Sequence, residues 1–277
     1  WQEAWADPSL ASYRPEMGCG DIWWPLALKI EAALLDGEDL CGIGFDFEKA
    51  FDRLPVGILL QLADEMGLAK NILTALRGMY SSLTRRFKVS GSLGPTFHST
   101  NGVMQGCPLS VILINLVTNV WLRAVRAEIP QASPGGYADD INATAPDAHT
   151  VQQVVDLTEE FALLTGQRLH TDKTVCWALT QHGREELETL RHHNGEVIKR
   201  VENTRLLGAQ LVFAKRRRRG RIALTRDVVK RTCARVETTR LPLPVKAILV
   251  GGAALPKPTY ACATHAPSKH DIRGLRG

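Results

Sequence analysis

Two short stretches of this chain put carboxylates where an apolar fold has least use for them. In Gly44-Phe45-Asp46-Phe47 an aspartate interrupts Leu40 to Phe47, a run that otherwise reads as a buried strand. Burying a carboxylate is costly unless it is paired or bound to a metal. In Tyr137-Ala138-Asp139-Asp140 two carboxylates stand side by side, and Tyr137 to Ala145 reads as a hairpin with the pair at or near its turn. Adjacent carboxylates repel unless cations sit between them. If the two strands are neighbours, Asp46 and Asp139 converge on one edge of a sheet. Three carboxylates could then hold two Mg²⁺ ions roughly 4 Å apart. Taken by itself, Asp46 is explained as well by a turn or cap role.

Around these stretches the pattern alternates between helices and short strands. Ile22 to Leu35 has apolar residues at helical spacing, with Gly37 just beyond. Pro55 to Met66 opens on a proline and closes at Gly67, and Asn71 to Leu83 is a further helix. Gly91 and Gly94 between β-prone flanks make Phe87 to Ser99 a hairpin. Pro108 to Ile129 is nearly apolar in its first half, as a central buried helix would be. Pro134-Gly135-Gly136 reads as a break. His149 to Leu164 is an amphipathic helix stopped by Gly166, Lys173 to Leu179 a strand, Glu185 to His193 a short helix and Val197 to Leu211 a hairpin around Asn203. Helices from Ala223 to Thr239 and near Val245 to Val250 close the pattern. The order fits a split β-α-β layout, an antiparallel sheet backed by helices, with a boundary near Leu211.

Charge is concentrated in one place. The 277-residue chain carries +5, yet Ala214 to Arg240 holds eleven Lys or Arg against two acids, a local +9 that leaves −4 for the rest. Such a segment suits a polyanion, and equally a solvated helix face or loop. Cys19, Cys41, Cys107, Cys176, Cys233 and Cys262 form no C-x-x-C pair, so they read as reduced thiols of an intracellular protein, not zinc ligands. No unbroken apolar run reaches the roughly 18 residues that span a membrane. The start, Trp1-Gln2-Glu3-Ala4-Trp5, is neither Met nor a signal peptide, as expected of a fragment of a longer chain.

Phe45-Asp46-Phe47-Glu48-Lys49-Ala50-Phe51-Asp52 resembles the first palm motif of reverse transcriptases. Asn101 through Gln105-Gly106-Cys107-Pro108-Leu109-Ser110 resembles the second, and Tyr137-Ala138-Asp139-Asp140 matches the third. Thr165-Gly166 through Leu169 to Lys173-Thr174 is similar to the fourth, with His170 where this group usually has Asn, and Leu206-Leu207-Gly208 is similar to the primer grip. Each motif alone is a weak pattern; four or five in family order are a strong one. The flavour is that of non-LTR, LINE-like retrotransposons, and the likeness covers about residues 13 to 212.

The resemblance implies an α+β right-hand polymerase: partial fingers over residues 1–40, a palm over 41–212 and a helical thumb with the C-terminal segment over 213–277. It implies RNA-directed DNA synthesis with two Mg²⁺ ions, or Mn²⁺ in their place, on an RNA template and a DNA primer or target, with dNTPs as substrates and no membrane. Asp46 and Asp139 would be the main metal ligands and Asp140 a weaker one, with the Phe47 backbone near the incoming phosphates. Phe51 would crowd the 2′ position of the sugar. Gln105 and Gly106 would line the template and nucleotide pocket, and Lys173 would protonate or neutralise departing pyrophosphate. Pro108, Ser110, Tyr137, Leu207 and Gly208 would lie along template and primer. Lys215, Arg216, Arg217, Arg218, Arg219 and Arg221 would touch phosphates from a loop where palm passes into thumb. The earlier fingers motifs are not found. The alternatives are an inactive element copy that only binds nucleic acid and, from the shared palm, an RNA-dependent RNA polymerase. An intracellular setting, nucleus or cytoplasm, is expected.

Overall fold

The computed structural model describes residues 1–99, 101–213, 221–254, 256 and 260. In chain order it runs α1 Gln2–Trp5, α2 Gly20–Asp36, β1 Cys41–Phe45, α3 Ala50–Arg53, α4 Val56–Glu65, α5 Lys70–Ser81, β2 Thr84–Val89 and β3 Ser92–His98. There follow α6 Pro108–Glu128, β4 Ser133–Tyr137, β5 Asp140–Ala145, α7 Ala148–Leu164, β6 Val175–Ala178 and α8 Gln181–Glu186. Last come β7 Lys199–Arg200, β8 Asn203–Leu206, β9 Ala209–Val212, α9 Arg221–Glu237 and α10 Leu243–Ala253. The chain divides into two compact units, Trp1–Ile22 with Gly37–Arg200 and Trp23–Asp36 with Val201–Gly277.

In the first unit β1 is the centre of a five-stranded sheet of order β4-β5-β1-β6-β7. It is antiparallel to both neighbours, pairing Phe45 with Ile141 and Gly44 with Val175, while β7 joins β6 in parallel. α6 and α7 back the sheet. The Trp121 indole N–H donates to the Thr158 hydroxyl at 3.0 Å, and Phe45 meets Trp121 edge-on at 6.2 Å. On α7, Val151, Val154, Val155, Thr158 and Ala162 are buried, one face at helical spacing. Its cap is Asp147, which accepts the Thr150 amide at 2.7 Å. A cap contributes about 1 kcal/mol, whereas each buried Val contributes roughly 1.5–3 kcal/mol. Packing therefore decides that this segment is helical.

Three features differ from the sequence reading. Pro134-Gly135-Gly136 does not break the chain but forms edge strand β4. The reason is close approach: a Cβ on Gly136 would stand 2.8 Å from Thr118 of α6. Asn203 does not turn the last hairpin; it opens β8 opposite Val212, and the turn is Leu207-Gly208 at φ +46° and +86°. The expected helix at Glu185 to His193 starts earlier, because the Thr180 hydroxyl caps α8 by accepting the Gly183 amide at 3.0 Å. α6 also qualifies what the absence of an unbroken apolar run implied. By length and a mean hydropathy of 1.5 it could cross a membrane, yet 61% of that window is buried inside the protein, as in a core helix.

The N-terminal segment lies along β4: the Gly136 amide donates to the Ser9 carbonyl at 3.0 Å, and the Ala11 amide to the Gly136 carbonyl at 3.1 Å. Asp7 anchors it. Its carboxylate is buried and accepts from the Ser9 amide and hydroxyl and from Arg126 Nε at 2.9 Å. Burial alone would raise its pKa; the Ser9 bonds and then Arg126 more than offset this and hold it below the usual carboxylate range. The stability Asp7 supplies is thus present above the unfolded-state pKa and is lost as pH falls through the lower folded value. Asp7→Ala should destabilise the unit by about 2 kcal/mol at neutral pH, the scale of hydrogen bonds to a charged group. Urea titrations at pH 7 and in acid check this: the gap to the parent should narrow in acid, and a gap that is constant with pH would exclude the linkage.

Candidate active site

Asp46 leaves β1 directly after Phe45, and extending the Phe45–Ile141 register sets it level with Asp140. The chain then changes partner. Phe47 bridges to Leu169, the His170 amide donates to the Asp46 carbonyl at 2.7 Å, and the Glu48 amide to the Arg168 carbonyl at 2.8 Å. Backbone alone makes these links, so His170 in place of Asn leaves them intact. Lys173 Nζ stands 3.1 Å from Asp46 Oδ2, both side chains partly open to water.

Tyr137 pairs with Asp140, which leaves Ala138 and Asp139 as a two-residue turn between β4 and β5. Only the first of the two has a positive φ, +54° at Ala138. That is the sign pattern of a type II′ turn, whose twist suits a hairpin. Asp139 lines a small pocket whose walls include Phe47, Val117, Trp121, Ile141 and Phe161. Burial beside these apolar walls raises its pKa, and the Asp46 charge adds to the rise. Asp140 is pushed up to about 6 by burial and then by the like charges of Asp139 and Asp46. Its surface is nonetheless exposed, so repulsion is the part of the rise that a nearby cation would remove. As they stand, the described side chains do not close a three-ligand metal cluster. Three mutually repelling carboxylates at one sheet edge nevertheless fit divalent cations, which favour few carboxylates plus substrate phosphates.

Next to this edge, Lys49 at φ +48° opens α3, and Phe51 packs half-buried against the core. The loop before α6 is laced to α3. The Gly102 amide donates to the Leu54 carbonyl and the Val103 amide to the Phe51 carbonyl, both at 2.8 Å, and Gln105 Nε2 donates to Asp52 Oδ2 at 3.0 Å. Gly106 has φ +83° and open space around it. Pro108 sits in the first turn of α6, and Ser110 has no exposed surface, so any part it plays in strand binding is indirect. Tyr137 ends β4, half-buried. Leu207 and Gly208 belong to the second unit, where the Tyr260 hydroxyl donates to the Leu207 carbonyl at 3.1 Å. Lys215 and Arg216 to Arg219 lie outside the described residues; Arg221 opens α9.

Residues 6–211 match the family described as Reverse transcriptase (RNA-dependent DNA polymerase). The chain belongs to this family. Its curated relatives include proteins of transposons and retrotransposable elements. The Pol polyprotein of the type-2 retrotransposable element R2DM from Drosophila melanogaster is 27% identical over 173 residues, 60% of this chain and 16% of the relative. The SLACS 132 kDa protein from Trypanosoma brucei gambiense is 33% identical over 94 residues, 34% of this chain and 8% of the relative. This reverse transcriptase chain thus spans a small part of the proteins it resembles. Telomerase from Candida tropicalis, solved with the TWJ fragment of telomeric RNA, aligns over 97% of this chain and 46% of its own at TM-score 0.56 and 14% identity. The apo form of that telomerase gives 0.55, covering 97% of this chain and 49% of its own. The likeness shows the fold, that of a right-hand polymerase.

Two things escaped sequence reasoning. Asp52 carries no signal of its own in its motif, yet its carboxylate accepts from Gln105 Nε2 and so fixes that side chain. Ser12, Asn115 and Thr118 carry no local signal, because their partners are remote in sequence.

Proposed function

We propose that this chain is the polymerase core of a longer retrotransposon-type protein, extending a DNA primer on an RNA template with dNTPs. The observation that carries the reading is the sheet edge where Asp46 stands level with Asp140 beside the turn that carries Asp139, close enough that the Asp46 charge raises the pKa of both. Asp46 and Asp139 would hold two divalent ions, Mg²⁺ or Mn²⁺, with Asp140 and the Phe47 backbone beside them. Bound there, such ions lower the pKa of the primer 3′-hydroxyl and neutralise the triphosphate. The chain's own part is to hold and orient. Lys173, already beside the Asp46 carboxylate, balances the charge of departing pyrophosphate. Gln105, fixed by Asp52, and Gly106 support the nucleotide and template. Leu207 and Gly208 serve the primer, and the basic run from Lys215 to Arg221 holds phosphates without reading sequence. The segment from about 213 onward acts as the thumb. The working place is inside the cell, nucleus or cytoplasm.

Primer extension on poly(rA)/oligo(dT) with Mg²⁺ or Mn²⁺ tests this, run beside a longer version with the fingers restored. Extension by neither version would leave the rival of an inactive, nucleic-acid-binding copy; preferential use of ribonucleotides would favour an RNA polymerase. Sugar choice has its own test. Phe51 is held at α3 by the Val103 amide, and a ring there crowds a 2′-hydroxyl. Phe51→Ala should lower discrimination against ribonucleotides by about tenfold or more, the scale of reshaping a pocket wall. Competition between matched dNTP and rNTP reads it; an unchanged ratio would leave Phe51 a core residue only.

A further inference from the structure

Three buried polar side chains, none of them in the family motifs quoted above, converge on Ala138, the residue before the aspartate pair. Ala138 sits at φ +54°, a left-handed conformation that any residue with a Cβ resists. Both its backbone polar groups are taken by side chains. Its N–H donates to Ser12 Oγ at 2.8 Å, and its carbonyl accepts from Thr118 Oγ1 at 2.6 Å. The arrangement is closed behind them. The Ser12 hydroxyl gives its one proton to Asn115 Oδ1, and Asn115 Nδ2 donates to the Ser12 carbonyl at 2.7 Å. Ser12 and Asn115 have no exposed surface, and Thr118 is also buried. Both hydroxyl protons meet acceptors, and only one orientation of the Asn115 amide places its oxygen on the Ser12 hydroxyl and its nitrogen on the Ser12 carbonyl. A satisfied polar network in a core specifies one geometry rather than a family of them.

We propose that Ser12, Asn115 and Thr118 are positioning residues that hold Ala138 left-handed and thereby aim Asp139 and Asp140. The inference rests on the polymerase reading for its purpose, but the clamp can be tested without it. The N-terminal segment and α6, which supply these side chains, are tied to each other through Asp7 and Arg126. The strap along β4 therefore reaches the active site through its end.

Two kinds of readout decide this. Hydrogen exchange at the Ala138 amide reports the clamp itself. Ser12→Ala should speed it by about tenfold or more, the loss of one buried hydrogen bond, whether or not the chain polymerises; an unchanged rate would overturn the clamp. Mn²⁺ binding, followed by electron paramagnetic resonance, reports the aim. Thr118→Val, which keeps the shape and removes the hydroxyl, should weaken Mn²⁺ binding and lower kcat by about tenfold at unchanged KM for primer–template. Thr118→Ser should restore both. In an Ala138→Gly background the same substitution should cost less, since glycine accepts positive φ freely. Equal losses in both backgrounds, or no rescue by Thr118→Ser, would show packing and not aim. Should Ser12→Ala fail to fold, the Thr118 pair carries the exchange measurement as well. A parent that binds no Mn²⁺ and extends nothing would overturn the polymerase reading, and with it the purpose given to the clamp.

Discussion

Asp139→Asn should fold as well as the parent and extend a primer about 10³-fold more slowly. The two halves of this result come from one feature. The Asp139 carboxyl is raised in pKa by burial and by Asp46, so its charge is disfavoured in the folded state. For a raised carboxyl the penalty is absent below the unfolded pKa, grows as pH rises towards the folded value and is complete above it. Asparagine keeps the shape and removes that charge, so without divalent ions the variant should melt at the parent temperature or higher. Added Mg²⁺ should raise the melting temperature of the parent and leave that of the variant nearly still. Extension within tenfold of the parent, or an equal Mg²⁺ shift in both, would remove Asp139 from the metal site.

Gly102→Ala should be nearly as damaging by a different route. Gly102 has φ +87°, and a Cβ there would lie 2.6 Å from the Asp52 carbonyl oxygen and 2.9 Å from its Cα. Backbone has no flexible end to swing aside, so the loop must lift from α3. Lifting it breaks the amide bonds to Leu54 and Phe51 and draws Gln105 from Asp52. Backbone strain of this kind costs roughly 1–3 kcal/mol, and lost buried hydrogen bonds add about 1 kcal/mol each. A destabilisation of about 3 kcal/mol is expected. In whatever stays folded, kcat/KM for dNTP should fall by about tenfold or more. Gly44→Ala is the control, since nothing lies within 4 Å of its would-be Cβ. Denaturant midpoints for the two variants that coincide would refute the close approach.

The candidate site is legible in the sequence where chemistry leaves a local trace. A carboxylate at the end of the apolar run around Phe45, and two more at a turn, crowd like charge onto one edge, and that pattern is visible in six or seven residues. Helices such as α6 and α7 were legible because an apolar face repeats within the segment. What escaped reading is imposed by remote chain. Gly136 looks like a breaker until Thr118 presses on it. Leu207 carries a bulky side chain that disfavours positive φ, whereas Asn is a common turn residue, so local preference points to Asn203. Ser12 and Asn115 are 103 positions apart, and nothing near either announces the other.

The place of β1 in its sheet has a consequence for how the protein is made. Both neighbours of this central strand come from later chain: Cys41 pairs with Ala145 on one side and Ala178 on the other. A ribosome adding about 5–20 residues per second leaves β1, apolar and with two open edges, without a partner for roughly 5–20 seconds. Asp46, the one charge in Leu40 to Phe47, ends that stretch. Asp46, proposed above as a metal ligand, thus joins Glu38 and Asp39 on one side and Glu48 and Lys49 on the other as a charged gatekeeper against aggregation while the nascent chain waits for β5. Replacing it removes one of these charges as well as a proposed metal ligand, so lost yield and lost turnover must be measured separately.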